Sequence, residues 1–259
     1  MPVPDRGRVF RARRRVRLGD ADPSGRLRLD ALARYVQDVA ADDTDDAGLP
    51  DGQAWVVRRA VVEQQRPARH GEVVELATFC AGYGSRWAER RVSLRGEHGA
   101  ALDAATVWVH LDAASGRPKA LSPEFHELYA PTASGREVLA RHVHEPVTAE
   151  AVGVGAFPWS VRASDLDLFD HANNAMAWAL VEELAGRADA SPEGGAPELS
   201  APVRAEVEYR SAVERTGSST SSAALTVAHR RAGDGWELAL WSADGVTAHV
   251  TARVGPLPR

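Results

Sequence analysis

A carboxylate, an imidazole and an amide are grouped at Asp167, His171 and Asn173, in the stretch DLDLFDHANN that precedes a helix-like segment. A carboxylate acts as a base or nucleophile, and an imidazole carries protons near neutral pH. The first N–H groups of a helix have no intrahelical acceptor and lie at its positive end, so they polarise a carbonyl oxygen. Asn173 or Asn174 orients the carboxylate or caps the helix. The grouping predicts acid–base chemistry on a carbonyl carbon that needs no metal and no cofactor.

A second carboxylate, Asp22, occupies the matching place in the first half of the chain. The strings VRLGDADPSG and VRASDLDLFD share the pattern Val-Arg-x-x-Asp-x-Asp, and Asp22 precedes Asp167 by 145 positions. Asp22 lies in a complete Asp-Pro-Ser-Gly turn that ends at Gly25 and contains no histidine. Aspartates in such turns are usually caps or turn formers, which is the role predicted for Asp20 and Asp165.

Each copy of the pattern stands between a strand-like and a helix-like segment. In the first half, residues 8–17 alternate apolar and basic side chains, and apolar residues then recur at helical spacing from 27 to 39. The acidic run DDTDD at 42–46 predicts a solvated loop at the end of this helix, because acidic side chains there oppose the helix dipole. Four strand-like segments and a short helix follow. The second half repeats the order strand, turn, helix and four strands.

The repeat predicts two domains of similar size in a chain of 259 residues. Matching residues lie 145 positions apart up to the first helix and 146 apart beyond it, as after one inserted residue. We assign 1–130 to an N-terminal domain, 131–155 to a linker and 156–259 to a C-terminal domain. A sheet that wraps around the helix buries the apolar face of both, which predicts an α+β fold.

Composition and charge argue against several classes of protein. A net charge of −5 gives no overall attraction to nucleic acid or to anionic lipid, although basic runs at 11–17 and 86–91 form local patches. The single cysteine, Cys80, excludes internal disulfides and cysteine zinc sites, is consistent with a cytoplasmic protein, and is predicted to be a small buried residue. No apolar run reaches membrane-spanning length, and the string HEPV at His144 is not a zinc motif.

The two copies of the turn resemble two known groups of enzymes. GDADPSG resembles the active-site turn of hot-dog thioesterases of the 4-hydroxybenzoyl-CoA type, in which the aspartate that matches Asp22 is catalytic. DLDLFDHANNAMAWALVEE resembles the Asp-Leu-Asp-x-Asn-x-His-x-Asn-Asn element of acyl-acyl-carrier-protein (acyl-ACP) thioesterases, and VEYRSAVERTG takes the place of their Tyr-Arg-Arg-Glu-Cys-Gly. Those enzymes are single chains of two hot-dog halves. The resemblance therefore implies two tandem hot-dog domains that form a pseudo-dimer, each a long helix wrapped by an antiparallel sheet.

The second half departs from the family pattern at three positions. Phe169 stands where the family has a catalytic Asn, and Ala212 and Val213 stand where it has Glu and Cys. Glu214 lies two positions after Ala212, on the same face of a strand. Because the usual machinery is incomplete there, we hypothesise that catalytic weight has moved wholly or partly to Asp22.

The resemblance implies an acyl-thioester hydrolase of fatty acid biosynthesis that acts on acyl-ACP and releases free fatty acid. Its partners would be acyl-carrier protein or a CoA thioester, not nucleic acid or membrane, and the chain would be a monomeric pseudo-dimer or a homodimer. No metal and no cofactor are expected. The predicted catalytic residues are Asp167, His171, Asn173 and Asp22, and the predicted substrate-binding residues are Asn174, Gly25 and Trp178.

Two alternatives stay open. The same fold can hydrolyse acyl-CoA, and the missing Asn and Glu would also suit a protein that binds acyl thioesters or acyl chains without turnover. A hot-dog dehydratase needs its catalytic histidine on another element, and the sequence shows no such pairing. The basic run at 11–17 would suit docking of the acidic carrier protein, but the solvent face of a strand explains it as well. Trp55 and Trp108 are predicted to pack in the core.

Overall fold

The chain forms two compact units in a computed structural model that describes residues 1–48, 53–151, 153–187, 195–213 and 225–258. The first unit is Met1–Arg141 and the second is His142–Arg259, so the division falls inside the segment 131–155. Within the described ranges, no helix is long and apolar enough to cross a membrane.

The described elements of the first unit follow the order that the sequence predicts. They are β1 (Phe10–Arg15), α1 (Leu29–Ala47), β2 (Gln53–Arg66), β3 (Val73–Tyr83), β4 (Trp87–Gly96), β5 (Ala101–Asp112) and α2 (Pro123–Ala133). The strands pair antiparallel in the order β1-β3-β4-β5-β2. Ser122 is the N-cap of the short helix α2, and its hydroxyl accepts a hydrogen bond from the N–H of Phe125 at 3.2 Å.

Helix α1 turns one apolar face to the sheet of the first unit. Leu29, Leu32, Val36 and Val39 recur three or four residues apart, and each is at most 7% exposed. Burial of one such leucine contributes about 1.5–3 kcal/mol. The helix contacts β1 and β3. This packing gives the helix-on-sheet arrangement that the sequence predicts for each half.

The prediction of a loop at the acidic run 42–46 is wrong. Helix α1 continues through the run to Ala47 and ends at Gly48, which adopts the left-handed conformation with φ 63°. An ion pair of 2.7 Å between Arg14 and Asp42 is one interaction that offsets the cost of acidic side chains at a helix C-terminus.

The stronger reason for the longer helix is Asp43, which is 0% exposed. Its carboxylate accepts hydrogen bonds from Arg8 Nε at 2.7 Å and from the Tyr129 hydroxyl at 2.9 Å, and it also pairs with Arg90. A buried carboxylate is tolerated only with such partners. The partners come from the segment before β1, from α2 and from β4, so they hold the end of α1 inside the unit.

The described elements of the second unit repeat the same plan. They are β6 (Gly155–Trp159), α3 (Asn174–Ala185), β7 (Val203–Tyr209), β8 (Leu225–Ala232), β9 (Gly235–Trp241) and β10 (Ala248–Pro256). The strands pair antiparallel in the order β7-β10-β9-β8-β6. The predicted strand-like segment at 219–232 is described only from Leu225 onwards, and its first six residues lie outside the described ranges.

Candidate active site

Asp22 is the hydrogen-bonding centre of the turn before α1. Its Oδ1 accepts from the N–H groups of Ser24 and Arg26, each at 2.9 Å, and from the Ser24 hydroxyl at 2.7 Å. Its Oδ2 lies 3.0 Å from the guanidinium of Arg26, which is 3% exposed. Burial raises the pKa of Asp22, but the hydrogen bonds from Ser24 and Arg26 and the charge of Arg26 outweigh burial and hold the pKa below its ordinary value. Asp22 is therefore an ionised carboxylate that is fully occupied in holding its turn.

In the turn before α3, the carboxylate of Asp167 accepts fewer hydrogen bonds than that of Asp22. Asp167 Oδ1 accepts from the N–H of Phe169 at 2.9 Å and from the N–H of His171 at 3.3 Å, the positions that match Ser24 and Arg26. Across the ranges that the structure describes, no side chain donates to Asp167. Phe169 is 72% exposed and His171 is exposed as well. The carboxylate and the imidazole thus share one solvent-facing turn.

The backbone holds the two turns in the same shape. In each copy the aspartate N–H donates to the carbonyl four residues on, at 2.9 Å from Asp22 and 2.8 Å from Asp167. A left-handed residue follows in each, Gly25 with φ 83° and Asp170 with φ 61°. Glycine adopts this conformation freely and aspartate tolerates it. Gly25, predicted to bind substrate, therefore has a conformational role in the turn.

Asp20 and Asp165 are turn formers, as predicted, and neither is an N-cap: each is the third residue of a short helical turn and accepts from the N–H of the capping residue. Asp20 Oδ2 accepts from the N–H of Arg17 at 3.1 Å, and Asp165 Oδ2 accepts from the N–H of Arg162 at 2.8 Å. Each aspartate closes the short helical turn that leads from the strand towards the candidate carboxylate.

Helix α3 begins at Asn174, shortly after Asp167 and His171 in the sequence. Asn173 caps it, because the Asn173 side chain accepts from the N–H of Ala175 at 2.8 Å. The described contacts give no acceptor for the N–H of Asn174, the first residue of α3, so a donor remains at the positive end of the helix.

Trp178 belongs to the interior of the second unit. It is 2% exposed, and its Nε1 donates to the Tyr209 hydroxyl at 3.1 Å. That hydroxyl in turn donates to the carbonyl of Asn174 at 3.0 Å. These hydrogen bonds connect the first turn of α3 to β7 and so hold the N-terminus of α3 in place.

At positions 212 and 213, where the family has Glu and Cys, this chain has no polar side chain. Ala212 is exposed, and Val213 is 6% exposed with its carbonyl accepting from the N–H of Ala172 at 2.8 Å. Val213 thus anchors the turn through its backbone. Glu214, the candidate substitute for the family's Glu, lies outside the described residues.

A cavity of about 270 Å³ lies in the first unit beside the C-terminal half of α1. Small and aromatic side chains make up much of its wall, among them Ala40, Ala88, Trp55, Trp108, Phe125 and Tyr129. Trp55 and Trp108 were predicted to pack in the core. Trp55 packs on Phe125 with ring centroids 5.9 Å apart. Both tryptophans also line the cavity. No local sequence pattern predicts this cavity, because its wall is assembled from six elements.

Arg90 and Glu89, two charged residues of the cavity wall, form ion pairs, and the third, Asp45, is exposed to solvent. Arg90 lines the wall, pairs with Asp43 and lies 5.1 Å from the centroid of the Tyr129 ring. Cys80 is 3% exposed, and burial raises the pKa of its thiol, so it remains protonated at neutral pH. This confirms the prediction that Cys80 is a small buried residue.

Comparisons with known proteins agree with this architecture. Residues 7–129 match the sequence model of the acyl-ACP thioesterase N-terminal domain. An uncharacterized protein of Mycobacterium tuberculosis strain H37Rv is 28% identical over 212 residues, which are 82% of this chain and 80% of that protein. A Lactobacillus plantarum structure assigned as an oleoyl thioesterase superposes with a TM-score of 0.74 at 20% identity over 100% of both chains. The 12:0-ACP thioesterase of Umbellularia californica superposes with a TM-score of 0.71 at 17% identity over 95% of this chain and 93% of its own. The predicted tandem hot-dog fold is confirmed.

Proposed function

We propose that the chain is an acyl-thioester hydrolase that acts on acyl-ACP, because residues 7–129 match the model of the acyl-ACP thioesterase N-terminal domain and the chain shares the fold of the 12:0-ACP thioesterase. The products would be a free fatty acid and the thiol of the carrier's prosthetic arm. The observation that carries this proposal is the turn before the N-terminus of α3. This turn contains both Asp167 and His171.

The contrast between the two turns favours Asp167 over Asp22 as the working carboxylate. Asp22 accepts three hydrogen bonds and an ion pair, and each would have to weaken before Asp22 could take a proton or attack a carbonyl. In the second copy His171 replaces Arg26, so an imidazole, the side chain that most often serves as general acid or base, replaces a permanent cation. We therefore assign a structural role to Asp22 and a catalytic role to Asp167.

The proposed reaction uses each group once. Asp167 accepts a proton from water as the water oxygen attacks the thioester carbonyl carbon. The N–H of Asn174 stabilises the oxyanion, and Asn173 keeps the helix terminus in place. The carbon–sulfur bond then breaks, and the proton that Asp167 took from water passes through His171 to the leaving thiolate, so both groups return to their starting states.

The cavity of the first unit is suited to an acyl chain. Its wall is largely apolar, its Arg90 and Glu89 are ion-paired, and its remaining charged residue, Asp45, is exposed to solvent. We assign it as the acyl pocket on this ground.

The strand β1 offers a basic face for the carrier protein. Arg11, Arg13 and Arg15 alternate with less exposed residues along it. Arg11 pairs with Glu75 at 2.8 Å and Arg15 donates to the carbonyl of Gly71 at 2.6 Å, which leaves Arg13 as the best candidate for docking an acidic partner. A cytoplasmic location and the choice between monomer and homodimer remain predictions.

A second candidate function is binding of acyl thioesters without turnover. It is favoured by one observation: at the positions of the family's Asn, Glu and Cys this chain has Phe169, Ala212 and Val213, none of which can orient a water molecule.

A release assay with acyl-ACP and acyl-CoA substrates over a series of chain lengths separates these functions. Thiol release with a higher kcat/KM for ACP than for CoA thioesters supports the proposal, and the reverse preference replaces ACP by CoA. Saturable binding with no thiol release at any chain length would contradict hydrolysis and favour the binding protein.

A further inference from the structure

A buried group of three potential metal ligands lies in the second unit, away from the turn before α3. His144 comes from the segment that leads into the unit, and Glu206 and Glu208 come from β7. Residues two apart on a strand share a face, so both carboxylates lie on one side of the sheet. The three residues are 5%, 6% and 0% exposed. One ligand atom from each lies within 4.8 Å of the others.

The imidazole of His144 is what distinguishes this group from an ordinary acidic cluster. Its side chain is 2% exposed, and its Nε2 has no hydrogen-bond partner in the described part of the chain. Nε2 lies 3.8 Å from Glu206 Oε1, too far for a hydrogen bond.

The other ring nitrogen is held in the way that metal-binding histidines are held. Nδ1 of His144 lies 3.2 Å from the Thr251 hydroxyl. When Nδ1 carries the proton and donates it to Thr251, Nε2 presents a lone pair towards a carboxylate oxygen. Two electron-rich atoms that face each other in a dry site repel unless a cation lies between them. Outer hydrogen bonds of this kind fix the tautomer of metal-binding histidines.

We propose that His144 and Glu206, with Glu208, bind one divalent first-row transition ion such as Zn²⁺. Two ligands that each lie about 2.1 Å from an ion can be no more than about 4.2 Å apart, which the 3.8 Å between Nε2 and Oε1 satisfies. The mixture of imidazole nitrogen and carboxylate oxygen favours zinc and its neighbours over calcium or magnesium.

Two neighbouring arginines pair with the carboxylates of this group. Arg204 lies 2.7 Å from the Oε2 of Glu206, whereas Oε1 is the oxygen that faces His144. Arg210 lies 3.1 Å from the Oε2 of Glu208. Their side chains are 35% and 20% exposed, so water screens part of their repulsion of a bound cation.

A bound ion would fasten the entering segment to the sheet. Glu208 already accepts from the N–H groups of Val143 at 2.5 Å and His144 at 3.3 Å, and Trp241 Nε1 donates to the carbonyl of Val147 at 2.7 Å. Metal coordination adds a side-chain link between His144 and β7 to these bonds. Ligand binding to the folded state alone raises stability, so the melting temperature of the protein should rise with metal concentration.

The test uses the full chain without an affinity tag, stripped with a chelator and titrated with Zn²⁺ by calorimetry. We expect one tightly bound equivalent, which His144→Gln and Glu206→Gln each weaken by at least about tenfold. Glu237→Gln is the matched control: Glu237 is an ion-paired glutamate of β9, bonded to Arg230 and Arg253, and its loss should leave Zn²⁺ affinity unchanged.

Two results would overturn the site: no stoichiometric Zn²⁺ binding to the wild-type protein, or the same affinity in Glu206→Gln as in wild type. If the His144 variant does not fold, the wild-type stoichiometry and the Glu206 variant still decide. Co²⁺ added to the stripped wild-type protein gives a further readout, because its visible absorption reports coordination by nitrogen and oxygen ligands. Failure of this site leaves the proposed hydrolysis untouched, since neither Asp167 nor His171 takes part in it.

Discussion

The carboxylate of Asp22 lies 3.0 Å from the buried guanidinium of Arg26, and the same two positions of the second copy hold Asp167 and the exposed His171. The same turn thus occurs twice, with a different side chain four residues after its aspartate. In the first copy a buried permanent cation pairs with the aspartate. In the second copy the aspartate accepts only from backbone N–H groups among the described residues, and an imidazole takes the place of the guanidinium.

The first prediction concerns the free energy of unfolding. Asp22→Asn removes the anion and leaves Arg26 buried without its ion pair, which should cost about 3 kcal/mol. Asp167→Asn keeps an Oδ1 that can accept the same two backbone N–H bonds and removes no ion pair, so it should cost less than about 1 kcal/mol. Urea unfolding of both variants beside the wild type measures the difference. Equal losses would show that the two turns are energetically alike.

The second prediction concerns pH. The folded-state pKa of Asp22 is lowered, so its contribution to stability is present above the unfolded-state value of about 3.9 and is lost as pH falls through the folded-state value. Asp30 and Glu89 have lowered pKa values too and act in the same direction. As the pH falls from 5, the free energy of unfolding of the wild-type protein should therefore decrease more than that of Asp22→Asn. Urea unfolding of both proteins at a series of pH values measures the two decreases. Parallel curves for the two proteins would refute the assigned role of the Asp22–Arg26 pair.

The third prediction tests the acyl pocket. Ala88→Leu places a larger side chain in the cavity wall and should shift activity towards shorter acyl chains, because each methylene that no longer fits costs about 1–3 kcal/mol. kcat/KM over a chain-length series measures the shift. Ala104→Leu is the matched control, since Ala104 is a buried alanine of β5 that is absent from the cavity wall. An identical change of chain-length profile in both variants would contradict the assignment.

The fourth prediction concerns the buried acid of α1. Asp43→Asn leaves Arg90 without its anion and should lower the free energy of unfolding by about 3–5 kcal/mol. Tyr129→Phe removes one hydrogen bond of 2.9 Å to the same carboxylate and should cost about 1 kcal/mol. Chemical denaturation gives both values. A loss below 1 kcal/mol for Asp43→Asn would mean that the ion pair is not formed in solution.

These predictions separate what the sequence could reveal from what it could not. The two turns were predictable because the described partners of Asp22 and Asp167 lie within four residues of them. A short stretch of sequence therefore indicates this local bonding. The turn-forming roles of Asp20 and Asp165 were predictable from their nearest contacts, although Asp20 also accepts from the distant Tyr35 hydroxyl.

Asp43 shows the opposite case. Its partners Arg8 and Tyr129 are 35 and 86 positions away, so a local reading saw five acidic or polar residues in a row and predicted a loop. The cavity was hidden for the same physical reason. So was the group around His144, whose glutamates lie more than sixty positions downstream.

The central claim is that Asp167, and not Asp22, carries the hydrolysis, and single-turnover release of thiol from acyl-ACP tests it directly. Asp167→Asn should lower the rate by at least about 100-fold, while Asp22→Asn should keep a rate within a few fold of the wild type at a temperature where it remains folded. Circular dichroism on the same samples establishes that both variants are folded. A normal rate for Asp167→Asn together with a 100-fold loss for Asp22→Asn would contradict the claim and return catalysis to the first turn.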